Sequence, residues 1–180
     1  MTLDELRASA TPAENGYHRF PAPYRQMSVC LEEADFLYAL VRATRPRNVL
    51  ELGTGLGLSA RFMYAAGREN EAQGADAFTL ITVEPNVAIR EKAAMGLLAD
   101  VVGFGVALVP ALRPDTHWQP DLVYIDSGQK YRADDITTWL TNGYEGLVLV
   151  HDAERGYPEL NQGVGVYLPT ANGMWLGRAK

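Results

Sequence analysis

Acidic residues stand where the strand-like runs of this chain end. "NVLEL" carries Glu51 beside its tip, "FTLITVE" ends in Glu84, "DLVYID" in Asp126, and "GLVLVHD" in His151 and Asp152. Carboxylates and an imidazole gathered on one rim can orient a hydroxyl, accept a proton or hold a cation. A single acid at a strand end ordinarily caps the next helix or starts a turn. Four such ends in one chain point to a site.

The loop after the first of these runs is the second chemical signal. In "VLELGTGLGLSA", Gly53, Gly55 and Gly57 alternate as GxGxG, and Leu58 stands where the dinucleotide fingerprint has its third glycine. Glycines tolerate positive φ and let a ligand approach the backbone closely. A carboxylate at Glu51 would repel a pyrophosphate and suits a cationic or hydroxyl-rich ligand better. Glu84 is placed to accept hydrogen bonds from a ribose diol. It follows Glu51 by 33 residues, against about 20 in the nicotinamide fingerprint. An NAD-dependent dehydrogenase is therefore disfavoured.

The elements that must position these residues alternate in type. "SVCLEEADFLYALVRATRP" reads as a helix, with Glu32, Glu33 and Asp35 at its start, Arg42 and Arg45 near its end, and Pro46 as its stop. Leu31, Ala34, Leu37, Tyr38 and Val41 give it one apolar face. Beyond it, "NVLEL", "FTLITVE", "VVGFGVALV", "DLVYID" and "GLVLVHD" are strands, with helices in "LSARFMYAAGREN", "VAIREKAAMGLLA" and "YRADDITTWLTNG". Uninterrupted Val, Leu and Ile runs fit strands buried on both faces of a parallel sheet. In "VGVYLPTANGMWLGRA" two strand-like runs flank a turn signal, which predicts an antiparallel hairpin. Residues 1–28, with Pro12, Pro21 and Pro23, read as an irregular arm or lid, and 29–180 as one domain.

Bulk properties bound the function. The chain has 180 residues, 47% hydrophobic and 21% charged, and a net charge of −6. The acidic balance with scattered basic residues disfavours nucleic acid as a partner. Cys30 is the one cysteine, so an internal disulfide and a CxxC site are excluded; packing is its expected role. No apolar run reaches the ~18 residues of a membrane span and no signal pattern opens the chain, so a cytoplasmic setting without membrane contact is expected.

As a set, these stretches resemble class I S-adenosylmethionine (SAM)-dependent methyltransferases. "VLELGTGLGLSA" looks like their first motif and "LITVEPN" like their second. "DLVYIDSGQKYRADD" and "LVLVHD" are similar to the small O-methyltransferases related to catechol and caffeoyl-CoA O-methyltransferase, and more so to a bacterial branch reading D-G-x-H-x-Y. The likeness runs from about Met27 to Asp152 and, more loosely, through the hairpin. It implies a Rossmann-like α/β fold, a seven-stranded, mostly parallel sheet of order 3-2-1-4-5-7-6 with helices on both faces. It also implies SAM as cofactor. Gly53, Thr54, Gly55, Gly57 and Ser59 would lie under its amino-acid part, and Glu51 would face the methionyl end. Glu84 would hold the ribose, Pro85, Asn86 and Val87 would lie beside the adenine, and Asp126 would both contact the cofactor and, with Asp152, serve as a catalytic residue on the acceptor side. The implied reaction is methyl transfer to a small-molecule acceptor, at a hydroxyl oxygen. Alternatives are a SAM- or S-adenosylhomocysteine (SAH)-binding protein without transferase activity, and N-methylation of a small amine. A nucleobase N-methyltransferase is disfavoured, since "YIDSG" stands where those enzymes carry a D/N-P-P-Y/F turn.

Departures from the family pattern fall on the acceptor side. Metal-dependent relatives bind a divalent cation with an Asp after strand four and an Asp-Asn pair after strand five. Here Asp126 and Asp152 match the acids, and Ala153 replaces the Asn. Mg²⁺ or another divalent cation is a candidate at Asp126 and Asp152, with Glu154 as a third oxygen. Gln129 replaces the branch's histidine, leaving His151 and Lys130 as candidate bases beside the readings of a hydrogen-bonded strand end and a solvated lysine. Val106 replaces the adenine-side acid. His18 is a weak candidate for substrate contact, and His117 reads as loop. Tyr17, Phe20, Tyr24, Tyr131 and Tyr157 are candidates to wall an acceptor pocket, which a homodimer partner would help to close.

Overall fold

The computed structural model describes residues 3–111 and 118–180, except 11–28. Among the described residues five α-helices, α1 (Leu3–Ala10), α2 (Leu31–Thr44), α3 (Leu58–Ala72), α4 (Val87–Met95) and α5 (Gln129–Thr141), accompany seven strands. The strands are β1 (Asn48–Leu52), β2 (Thr79–Val83), β3 (Val106–Val109), β4 (Leu122–Ile125), β5 (Leu147–His151), β6 (Gly163–Leu168) and β7 (Met174–Ala179). They form one sheet of order β3-β2-β1-β4-β5-β7-β6, the order that the family resemblance implies. The first five strands are mutually parallel, and β7 runs antiparallel to both β5 and β6.

Strand side chains alternate between two apolar layers, because the period of a strand is two. Val49, Leu80, Leu122, Tyr124 and Leu149 point into the layer under α2 and α3. Leu50, Leu52, Val123, Ile125 and Val148 point into the layer under α5. The central strands β1, β4 and β5 are buried on both faces, which is why their sequences lack polar alternation. Helix α2 contributes Ala34, Leu37 and Val41 from the stripe read in its sequence. Among the described residues no helix is long and apolar enough to cross a membrane.

The irregular reading of 1–28 is corrected at its start. Residues 3–10 form α1, which buries Leu6 in the first layer and holds Asp35 through Arg7 Nε at 2.9 Å. The helix is brief and has one large apolar anchor, so its periodicity was too short to register against the prolines that follow. Leu6→Ala is expected to cost about 2 kcal/mol, near the low end for a buried leucine because α1 can shift to close the gap. Urea denaturation would measure it, and an unchanged midpoint would show that α1 contributes nothing to the core. The rest of the proposed arm, with His18, Tyr17, Phe20 and Tyr24, lies outside the described residues, as does His117.

Candidate functional site

The carboxyl ends of β1, β2, β4 and β5 bring the acidic tips to one rim, at the point where the strand order reverses between β1 and β4. Here the glycine loop turns from β1 into α3. Gly53, Gly55 and Gly57 have φ of 101°, 52° and 91°, all in the region that favours glycine. Gly53 is required for a second reason: a Cβ there would lie 2.3 Å from the carbonyl oxygen of Asp126. The loop therefore rests directly on the backbone after β4.

Four amide groups of this loop are already committed. Gly53 and Thr54 N–H donate to Val83 O at 3.0 and 3.1 Å, and Gly57 N–H donates to Thr54 O at 2.9 Å. Gly55 N–H donates to Glu84 Oε2 at 3.2 Å, while Asn86 N–H donates to Glu84 Oε1 at 2.9 Å. A carboxylate thus occupies the amide that a phosphate would use. Each Glu84 oxygen keeps a free lone pair for a further donor. Beside it, Asn86 caps α4 by accepting from Ala88 and Ile89 N–H, and Pro85, Asn86 and Val87 are exposed.

Glu51 lies beneath the glycine loop. It is fully buried on the α3 side of the sheet, where Ser59 and Thr82 hydroxyls donate to its two oxygens. Thr54 Oγ1 lies 2.5 Å from Thr82 Oγ1, extending this network under the loop. Burial pushes the Glu51 carboxyl up to about 8 despite these hydrogen bonds, with Asp126 and Glu84 adding to the rise. At neutral pH it holds its proton. The repulsion of a pyrophosphate by an ionised Glu51, argued from the sequence, is therefore replaced by the Glu84 contact with Gly55.

Around Asp126 the charges interlock. Arg132 of α5 is 3% exposed, and its guanidinium bridges the two acids, with Nη2 2.8 Å from Asp126 Oδ1 and Nη1 2.7 Å from Asp152 Oδ2. Nη1 also donates to His151 O at 3.2 Å. Asp152 adopts a left-handed φ of 54°, unusual outside glycine. Asp126 Oδ2 has no hydrogen bond or ion pair among the described residues.

His151 sits between two carboxylates. Its Nδ1 lies 2.9 Å from Asp126 Oδ1 and its Nε2 3.0 Å from Glu33 Oε2. Burial lowers its affinity for a proton, but contact with Asp126 and Glu33 outweighs this and raises its pKa to about 10. Glu33 lies at the N-terminal turn of α2 with no exposed surface. It accepts from Cys30 N–H, Thr170 Oγ1, and both Asn172 N–H and Nδ2, at 3.0 to 3.2 Å. Burial alone would raise its pKa, but His151 and these donors hold it down at about 2.

The structure thus gathers Asp126, His151 and Asp152, whose ligand-type atoms lie within 4.8 Å of one another. It does not bring Glu154 or Lys130 into the cluster. Glu154 is exposed, and Lys130 Nζ lies 4.5 Å over the ring of the half-exposed Tyr131. Gln129 is exposed at the start of α5, Val106 is buried in β3, and Tyr157 packs against the second layer. Glu33 and Arg132 were missed as site residues. Both lie on buried helical stripes, Glu33 with Leu37 and Val41, and Arg132 with Ile136 and Leu140, and that spacing was visible in the sequence.

No protein-family model matches the chain, and no curated protein matches it. Solved structures do. The SAH-bound methyltransferase PaMTH1 of Podospora anserina superposes with a TM-score of 0.73 at 17% identity, over 99% of this chain and 87% of that one. The O-methyltransferase TomG of Streptomyces achromogenes, involved in tomaymycin synthesis and solved with SAM, gives 0.69 at 18% identity over 100% and 91%. An SAH-bound O-methyltransferase of Bacillus cereus gives 0.71 at 16% over 86% and 84%. The fold is that of the class I methyltransferases.

Proposed function

We propose that this chain transfers a methyl group from SAM to a hydroxyl oxygen of a small-molecule acceptor. The observation that carries this reading is the occupied glycine loop. The amides of Gly53, Thr54, Gly55 and Gly57 donate within the protein, and a carboxylate, not a phosphate, closes the loop at Gly55. Such a loop offers bare backbone and an acidic neighbour, which suit a sulfonium nucleoside better than a pyrophosphate. In this reading Gly53, Thr54, Gly55 and Gly57 lie under the amino-acid part of the cofactor. Ser59 and Glu51 act from beneath, fixing the loop through their hydroxyl–carboxyl contacts. Glu84 accepts from the ribose hydroxyls, and Pro85, Asn86 and Val87 border the adenine.

Transfer from a sulfonium is an in-line displacement in which the S–CH₃ bond breaks as the O–CH₃ bond forms and SAH leaves, and most of its acceleration comes from holding the acceptor oxygen behind the methyl group. In this reading Asp126 Oδ2 orients that hydroxyl and takes up the proton it gives up. His151 is unsuited to act as the base, since its pKa near 10 and its place between two carboxylates keep it protonated at neutral pH. The side chains around Asp126 and Asp152 also do not suit a divalent cation, because a guanidinium already lies between them. No step is assigned to a metal.

Calorimetry tests the cofactor. SAH is expected to bind and NADH is not, and absence of SAH binding would overturn the reading. Glu84→Ala is expected to weaken SAH by about 10- to 100-fold, the range for losing hydrogen bonds to a charged group. An unchanged affinity would remove Glu84 from the ribose. Turnover of a panel of phenols and amines then separates O-methylation from N-methylation, and binding without turnover would identify a binding protein.

A further inference from the structure

We infer that Arg132 is a built-in cation that takes the position between Asp126 and Asp152 and keeps divalent metals out of the acceptor side. The inference concerns occupancy of the cluster, and it rests on the methyltransferase reading only for its bearing on acceptor binding.

Three observations carry it. The guanidinium contacts one oxygen of each acid at 2.7 to 2.8 Å, so it joins them as a shared cation would. It cannot swing aside readily, because the Arg132 side chain is 4% exposed and rises from the same buried stripe of α5 as Ile136 and Leu140. Its third contact, from Nη1 to His151 O, fixes it to the tip of β5. A guanidinium stays charged at every accessible pH. A divalent ion drawn to the same acids would therefore meet a permanent positive charge at contact distance in a poorly solvated place, where like charges repel strongly.

Octahedral coordination sharpens the point. Mg²⁺ takes oxygens at about 2.0–2.1 Å and tolerates little distortion. Asp126 Oδ1 and Asp152 Oδ2 are both already turned toward Arg132. Arg132 acts as a positioning residue: by holding Asp126 Oδ1, it leaves Oδ2 as the oxygen available to an acceptor. An acceptor held in this way needs a single hydroxyl donor rather than the pair of oxygens that would chelate a metal.

Electron paramagnetic resonance with Mn²⁺ tests this on the full chain. The unaltered protein is expected to show no saturable Mn²⁺ binding at millimolar concentration. Arg132→Met is expected to acquire one site per chain, and Arg132→Lys, which keeps a cation there, to remain without one. Stoichiometric binding by the unaltered protein that Asp126→Asn abolishes would overturn the inference. So would a folded Arg132→Met protein that binds no Mn²⁺. If Arg132→Met does not fold, the titration of the unaltered protein decides alone. SAH calorimetry on the same samples reads the methyltransferase proposal separately, so failure of one is not mistaken for failure of the other.

Discussion

Replacing Glu33 with alanine is expected to destabilise the protein by about 3–5 kcal/mol, the range for removing one partner of a buried ion pair. For a chain of this size that corresponds to a fall in Tm on the order of 10 °C. The cost arises because His151 Nε2 would lose its acceptor while Asp126 continues to favour the charged imidazole. Thr170 and Asn172 in the β6–β7 turn would lose theirs as well. The sign of the pH dependence follows from both partners. His151, raised to about 10, contributes stability that is full below about pH 6.5 and is lost as pH rises toward 10. Glu33, lowered to about 2, contributes stability that is present above about pH 4.5 and is lost as pH falls toward 2. Glu51 also erodes stability between about pH 4.5 and 8, because the unfolded chain ionises first. Comparison with Glu33→Gln cancels that contribution, since Glu51 is common to both proteins. Thermal melts across this range would show the difference between the two proteins shrinking above pH 6.5. A Glu33→Ala protein that melts with the unaltered one would refute this role of Glu33.

Gly53→Ala is expected to abolish SAH binding and to cost about 3 kcal/mol of stability. Two separate penalties combine. A φ of 101° is strained for any residue with a Cβ, at about 1–3 kcal/mol. That Cβ would also stand 2.3 Å from Asp126 O and 2.8 Å from Ser127 N, both backbone atoms that cannot rotate away. Overpacking of this kind adds about 1–3 kcal/mol. Relief requires the tips of β1 and β4 to separate, which would displace the loop and Asp126 together. Gly128→Ala supplies the control, since a Cβ there meets nothing within 4 Å and the φ is an ordinary −54°. SAH calorimetry and chemical denaturation of both variants would check the prediction. Unaltered SAH affinity in Gly53→Ala would remove the loop from the cofactor site.

The parallel sheet and its terminal hairpin were legible because strands buried on both faces leave long apolar runs and a turn without a helix forces a hairpin, while the strand order came only from the family resemblance. The rim was legible because its acids stand at strand ends, where sequence position and spatial position coincide. Glu33 and Arg132 were harder to find for a physical reason. Acids at a helix start usually serve the dipole, and Glu33 was read with Glu32 and Asp35 in that role. A charged residue four and eight positions from buried apolar ones, however, must enter the core with them. Glu33–Leu37–Val41 and Arg132–Ile136–Leu140 both have that spacing. A charge so buried requires an opposite charge in contact, and each stripe points to one: His151 for Glu33, and the two acids for Arg132. The protonation of Glu51 was not legible, because its enclosure by Ser59 and Thr82 arises only when α3 and β2 meet over β1.

The position of β7 between β5 and β6 makes one strand close two edges of the sheet. It is the only strand β6 pairs with among the described residues. Without β7, the backbone of β5 would be open on one side, and β6 would present Val164, Val166 and Tyr167 with no partner. Those three side chains remain largely exposed even in the finished sheet. Unpaired strand edges of this composition recruit other chains. Loss of β7 from its place would thus open β5 and β6 together to intermolecular strand pairing.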